Sequence, residues 1–226
     1  MQGPKDQKIR ELLLPFVQQE HRTTSTPLLI EEFAIYGGAI RADLAALNGV
    51  SHGYEIKSDS DTLQRLPDQV SAYSSVFERA TLVSGPKHLG AALKIIPAWW
   101  GVVEVRDKNC SLSLQRVRDS EANPSPDGIA IASLLWKPEA LRLLASLGID
   151  KGVRSRNMEH LIERLAVELP TDRLARYVRE ALRARGDWKA AARLKRYDAM
   201  PRQPASAAPM HSLFREHTAQ SDHLPS

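Results

Sequence analysis

The sequence predicts an α/β protein: a mixed central sheet flanked by helices, followed by an all-helical C-terminal appendage. Three observations carry that prediction. Between about residues 28 and 117, short stretches with strand periodicity are interrupted by stretches with helical periodicity, the pattern of a sheet covered by helices. From residue 128 onward no strand pattern recurs, and apolar residues return at helical spacing. The 226 residues are 42% hydrophobic and 26% charged, enough for one core of ordinary size in a water-soluble chain.

The elements follow in order. "DQKIRELLLPFVQQE" places Ile9, Leu12, Leu13 and Phe16 at helical spacing and stops before "HRTTSTP". "LLIEEFAI" carries Glu31 and Glu32 on what reads as a helix end. "AIRADLAAL" and "GYEIKS" read as two strands joined by "NGVSHG", whose Asn-Gly pair favours a turn. "LQRLPDQVSAYSSVFERA" reads as a helix with Pro67 in its first turn and Leu66, Val70 and Phe77 on its apolar face. "ATLVSG" is a short apolar strand, "PKHLGAALKII" a proline-started helix, "WWGVVEV" a strand and "SLSLQRVR" an alternating strand. Trp99 and Trp100 are expected to divide between surface and core.

After the loop "DSEANPSPDG" come four helical stretches: "IASLLWKPEALRLLASLG", "SRNMEHLIERLAVELP", "TDRLARYVREALRARG" and "DWKAAARLKR". Gly148 suits a C-cap, and Ser155 and Thr171 suit N-caps. The last stretch is rich in proline, alanine and serine and reads as a disordered tail. The expected organisation is a core over residues 1–120, a helical region over 128–197 and a tail over 198–226.

No apolar run approaches the roughly 20 residues that span a bilayer, and the N-terminus lacks the pattern of a signal peptide, so the expected compartment is the cytoplasm, with no membrane partner. The single cysteine, Cys110, cannot close an internal disulfide and is expected to be inert. The net charge is +4 with pI near 9.3. Residues 137–196 hold fifteen Lys and Arg against eight Asp and Glu, a surplus larger than that of the whole chain. The remainder is therefore net acidic, and its acids gather around the two central strands.

On a strand, alternate side chains share a face, so Glu55 and Lys57 point one way and Tyr54 and Ile56 the other. If the two strands pair through "NGVSHG", Asp43 lies close to Glu55. Glu32 adds a third carboxylate, against one ammonium from Lys57. Desolvating unpaired ions costs several kcal/mol each, and one lysine does not neutralise three acids. A hard divalent cation with oxygen ligands, Mg²⁺ for instance, would.

An acid in one strand, a short gap and then Glu-x-Lys in the next resembles the PD-(D/E)XK nuclease superfamily, with Ala42-Asp43 at the "PD" position. "EIKSDSDTLQRLPDQVSAYSSVF" is similar to a bacterial group of small members in which Glu-x-Lys leads to an Asp, an Arg-Leu pair, a Gln and a Tyr, here Asp61, Arg65 with Leu66, Gln69 and Tyr73. The resemblance covers about Leu28 to Val117. It implies a restriction-endonuclease-like fold and Mg²⁺-dependent DNA phosphodiester hydrolysis, with Mn²⁺ able to substitute. It also implies roles: Asp43, Glu55 and the Ile56 carbonyl bind the metal, Lys57 orients the attacking water, and Glu32 is a further metal or water partner. Gln69 and Tyr73, four residues apart, share a helix face toward the site; Arg65 and Asp61 support it or contact substrate.

Each reading has a structural counterpart. Glu55 and Lys57 also suit a simple ion pair, Asp61 a cap, Arg65 its partner, Gln69 and Tyr73 helix packing, and His52 a surface turn. Arg173, Arg176 and Arg183 suit either a phosphate-tracking stripe or a solvated helix face. The alternative function is a non-cleaving nuclease-like module that binds DNA or a protein partner through its C-terminal helices, in a regulatory or mobile-element setting.

Overall fold

The computed structural model describes residues 4–22, 26–108 and 111–186. Cys110, the helix expected at 187–196 and the tail expected from 198 lie outside these residues. The described chain is a six-stranded mixed sheet flanked by helices, with a helical C-terminal region.

The order along the chain is α1 (Pro4–Glu20), β1 (Leu28–Ile35), β2 (Ile40–Asn48), β3 (Val50–Lys57), α2 (Leu66–Val76), β4 (Arg79–Ser84), α3 (Pro86–Ala92), β5 (Gly101–Lys108), β6 (Ser111–Arg118), α4 (Gly128–Ala132), α5 (Lys137–Ser146), α6 (Met158–Glu168) and α7 (Thr171–Ala184). Strands neighbour one another in sequence order. β1, β2 and β3 form an antiparallel meander, β4 and β5 join in parallel through the α2 and α3 crossovers, and β6 returns antiparallel.

Strand periodicity decides the two faces of β3. His52, Tyr54 and Ile56 point to one side, where Tyr54 and Ile56 meet Ile9, Leu13 and Val17 of α1 together with Leu44, Val83 and Val103. Ser51, Gly53, Glu55 and Lys57 point to the other, under α2. Gly53 is required there: a Cβ at this position would stand 2.5 Å from the Phe77 ring and 2.8 Å from the Tyr73 ring. Phe33, Leu47, Val76, Phe77, Ile131, Val178 and Leu182 fill the space between this face and helices α4 and α7.

Several expectations need correction. Glu31 and Glu32 sit in β1, not on a helix end; the β1–β2 ladder claims their backbone on both sides of Glu32, through Glu31 with Leu44 and Phe33 with Ala42. The β2–β3 turn is shorter than "NGVSHG": Asn48 pairs with Val50 across Gly49, whose left-handed φ of 73° makes so tight a reversal possible. His52 therefore lies inside β3 and is buried, not on a surface turn. "IASLLWKPEALRLLASLG" breaks into α4 and α5, because Pro138 lacks an N–H and its ring excludes the carbonyl of residue 134 from helical geometry. Asn157, not Ser155, caps α6, its side chain accepting from His160 N at 3.1 Å. Thr171 is the first residue of α7 and Pro170 takes the cap position. Gly148 does terminate α5 with φ 72°, and Ile149 N donates to Leu144 O.

The C-terminal helices are anchored by arginines. Arg179 pairs with Glu78, Arg183 donates to the carbonyl of Leu47 at 2.5 Å, and Arg185 lies over Trp136 at 4.3 Å while pairing with buried Glu139. Arg183, placed beforehand on a possible phosphate stripe, is thus tied to the end of β2; Arg173 and Arg176 remain exposed. Trp100 is fully buried and Trp99 half-buried.

Gly53→Ala is expected to destabilise the fold by about 1–3 kcal/mol, the usual cost of overpacking, because backbone on one side and two aromatic rings on the other leave the methyl no room. Urea denaturation of wild type and variant checks it.

Candidate functional site

Registers across β1, β2 and β3 put three acids in one row. Glu31 pairs with Leu44 and Phe33 with Ala42, so Glu32 stands opposite Asp43. Leu44 pairs with Tyr54 as the last rung of the β2–β3 ladder, so Asp43 stands opposite Glu55. Beyond that rung the ladder is continued by a side chain: Asp43 Oδ2 accepts the Ile56 backbone N–H at 2.8 Å.

Glu55 is 1% exposed and both its oxygens are engaged. Oε1 accepts from Lys57 Nζ at 2.5 Å and from Gln69 Nε2 at 2.6 Å, and Oε2 accepts from Tyr73 Oη at 2.6 Å. Gln69 and Tyr73 reach it together because i and i+4 share a face of α2. Tyr73 Oη also accepts the Asp43 backbone N–H at 3.1 Å, which makes it a bridge between β2 and β3. Gln69 Oε1 is buried with no hydrogen-bond partner among the described residues.

Asp43 is held from the opposite helix. Arg10 of α1 donates to the Asp43 backbone carbonyl at 2.8 Å, forms an ion pair with Asp43 Oδ1, and pairs with Glu32 at 3.0 Å. Arg10 was not among the residues singled out from the sequence. The signal available for it was its place on the flank of the Ile9–Leu13 stripe, one residue from a buried position; nothing local says that it reaches two strands.

Burial, and next the Asp43 charge, push the Glu55 carboxyl up to about 7 despite Lys57 and Tyr73. Burial likewise raises Asp43, opposed by the Ile56 N–H and Arg10. Tyr73 is raised by burial first and then by the Glu55 charge, so its hydroxyl stays a donor. Glu32, Asp43, Glu55, Lys57, Gln69 and Tyr73 therefore come together as expected from the sequence. Their surroundings differ from an open metal cleft: every Asp43 and Glu55 carboxylate oxygen already has a protein donor.

Asp61 and Arg65 lie apart from this bonded set. Asp61 Oδ2 accepts from Ser58 N at 2.7 Å and Ser58 Oγ at 2.9 Å, closing the turn after β3. Arg65 is exposed at the start of α2.

On the other face of β3 lies a second polar group. His21, just past the end of α1, and His52 both contact Tyr54 Oη, at 2.8 and 3.1 Å, and Tyr54 donates to Glu20 at 3.0 Å. Burial lowers both histidines and raises the Tyr54 phenol. Sequence reading missed this group; its signal was the i, i+2 spacing of His52 and Tyr54, which puts them on one strand face.

Known proteins place the chain in a family. Residues 2–200 match the family described as Bacteriophage P4 protein cII, and the chain belongs to that family. It is 30% identical over 145 residues to "Protein cII" of Enterobacteria phage P4, a stretch that covers 64% of this chain. The chain spans about half the length of that relative, 54%. No helix among the described residues is long and apolar enough to cross a membrane.

Between about pH 4.5 and 7 the folded chain keeps a proton on Glu55 that the unfolded chain has released. Stability from this group is therefore full at low pH and declines as pH rises toward 8, by about 1–3 kcal/mol at roughly 1.4 kcal/mol per pKa unit. Urea denaturation at pH 5, 6, 7 and 8 is expected to show that decline in wild type and a flatter profile in Glu55→Gln.

Proposed function

We propose that this member of the phage P4 cII family is a regulatory module of a mobile element, a nuclease-like scaffold that binds DNA without cleaving it. One observation carries the reading: every oxygen of the two carboxylates that would hold a catalytic cation already accepts from a protein donor, from Arg10, Lys57, Gln69, Tyr73 or the Ile56 N–H. With Arg10 and Lys57 set against Glu32, Asp43 and Glu55, two cations oppose three acids and offset part of the repulsion that would recruit a metal. Membership in a bacteriophage family supports the mobile-element setting. The basic surplus of residues 137–196 supports a nucleic-acid partner. Because Arg179, Arg183 and Arg185 serve as internal anchors, the contact falls to exposed cations such as Arg156, Arg173 and Arg176.

A second reading is Mg²⁺-dependent hydrolysis of DNA phosphodiesters. What favours it is the D…ExK row itself, complete in Asp43, Glu55 and Lys57 and joined by Gln69 and Tyr73. In that reading Asp43, Glu55 and the Ile56 carbonyl would hold Mg²⁺, or Mn²⁺, which supplies Lewis acidity at the phosphorus. Lys57 would orient the attacking water.

The full chain incubated with single-stranded, duplex, nicked and branched DNA separates the two. We expect binding that weakens roughly tenfold to a hundredfold between 50 and 200 mM salt, as for an interface with a few phosphate contacts. Arg173→Ala with Arg176→Ala should weaken it further and Lys57→Ala should leave it unchanged, with DNA intact in Mg²⁺ or Mn²⁺. Cleavage that Lys57→Ala abolishes would establish the nuclease reading instead. No binding to any DNA form would transfer the proposal to a protein partner.

A further inference from the structure

We propose that Glu20, His21, His52 and Tyr54 form a four-ligand site for a divalent transition metal of the zinc class, on the face of β3 opposite the acid row. The inference stands apart from the proposed function, since none of these residues belongs to the acid row.

The donor set is the first argument. Two imidazoles with a carboxylate and a phenol oxygen suit a borderline cation that takes nitrogen and oxygen ligands, not Mg²⁺ or Ca²⁺. Among the described residues, Glu20, His21 and His52 each offer one ligand atom within 4.8 Å of the others. Tyr54 Oη adds an oxygen as a fourth ligand atom beside them, 2.8 Å from His21 Nε2, 3.0 Å from Glu20 Oε2 and 3.1 Å from His52 Nδ1. Bonds of about 2.0 Å in a tetrahedron set its ligand atoms roughly 3.3 Å apart. Three of the six edges are thus within half an ångström of that spacing.

Outer-shell support is the second argument. Metal-binding imidazoles are held at their other ring nitrogen, and ligating carboxylates are themselves held. His52 Nε2 is hydrogen bonded to Thr81 Oγ1 at 2.8 Å. Arg116 pairs with the other Glu20 oxygen at 2.9 Å, which turns Oε2 toward the centre. His52 and Tyr54 are fully buried, whereas the Glu20 side chain is 18% exposed and gives a path in from solvent.

Charge balances on binding. The imidazoles enter neutral, and Tyr54 releases its proton to solvent as its oxygen becomes a ligand, so the Glu20 carboxylate and the phenolate meet the dication, with Arg116 paired to Glu20 and Arg79 near the histidines as the facing cations. Two ligands come from the end of α1 and two from β3, which makes the metal a staple between helix and sheet.

The test uses the full chain freed of metal by chelator dialysis and titrated with Zn²⁺ calorimetrically, with Co²⁺ as a spectroscopic stand-in. Expected are one equivalent bound, the visible bands of four-coordinate cobalt, and a tyrosinate difference spectrum. His21→Ala and Tyr54→Phe should each weaken binding by at least about a hundredfold and Thr81→Val by about ten- to a hundredfold, the range for outer-shell partners. Asp43→Asn should change nothing, which keeps the result distinct from metal in the acid row. Circular dichroism confirms folding; if His21→Ala does not fold, Glu20→Gln takes its place. The proposal is overturned if wild type takes up no equivalent, if the ligand variants bind as wild type does, or if the equivalent disappears with Asp43→Asn.

Discussion

Three carboxylates placed side by side across β1, β2 and β3 are the constraint to which the surrounding structure answers. Strand pairing alone puts Glu32, Asp43 and Glu55 in a row, and covering that row takes water away from Glu55 almost completely. Leaving such groups charged and unpaired would cost several kcal/mol each. The chain meets that cost from three directions: Arg10 from α1, Lys57 from the same strand as Glu55, and Gln69 with Tyr73 from α2. Each compensating element is thereby fixed in place. α2 cannot rotate without losing the Glu55 contacts, and α1 cannot slide without releasing Asp43.

β3 is the strand on which both faces depend. Its alternation sends Glu55 and Lys57 into the acid row and His52, Tyr54 and Ile56 against α1, so a one-residue slip would exchange the two sets. Gly53 keeps the spacing on the α2 side, because Tyr73 and Phe77 lie where a larger residue would be. That close approach is what lets the Tyr73 hydroxyl touch both Asp43 and Glu55. The α1 helix contributes to both sides, with Arg10 near its start and Glu20 at its end.

The helical C-terminal region joins the same body through apolar packing of α4 and α7 against Phe33, Leu47 and Phe77 together with charge-assisted contacts. Arg179 and Arg183 attach α7 to Glu78 and to the end of β2, and Arg185 ties α7 to α5 through Glu139 and Trp136. A basic composition that reads as nucleic-acid affinity is thus partly internal scaffolding.

The sequence by itself determined the fold class, most of the strands and helices, and the membership of the acid row. Those features rest on local periodicity and on charges set against it: "GYEIKSD" shows two faces, and the i, i+4 spacing of Gln69 and Tyr73 shows one. Only the tertiary structure decided what neutralises the row, since Arg10 lies 33 residues from Asp43 and its reach depends on how α1 crosses the sheet. The same holds for His52, which looks like a turn residue until the register at Gly49 draws it into β3, and for His21, which meets it only through the packing of α1. Glu31 and Glu32 were misread because two adjacent acids carry no period; the β1–β2 ladder, a contact between distant segments, settles their state. Local patterns report which way a side chain points, and long-range packing alone sets what it meets.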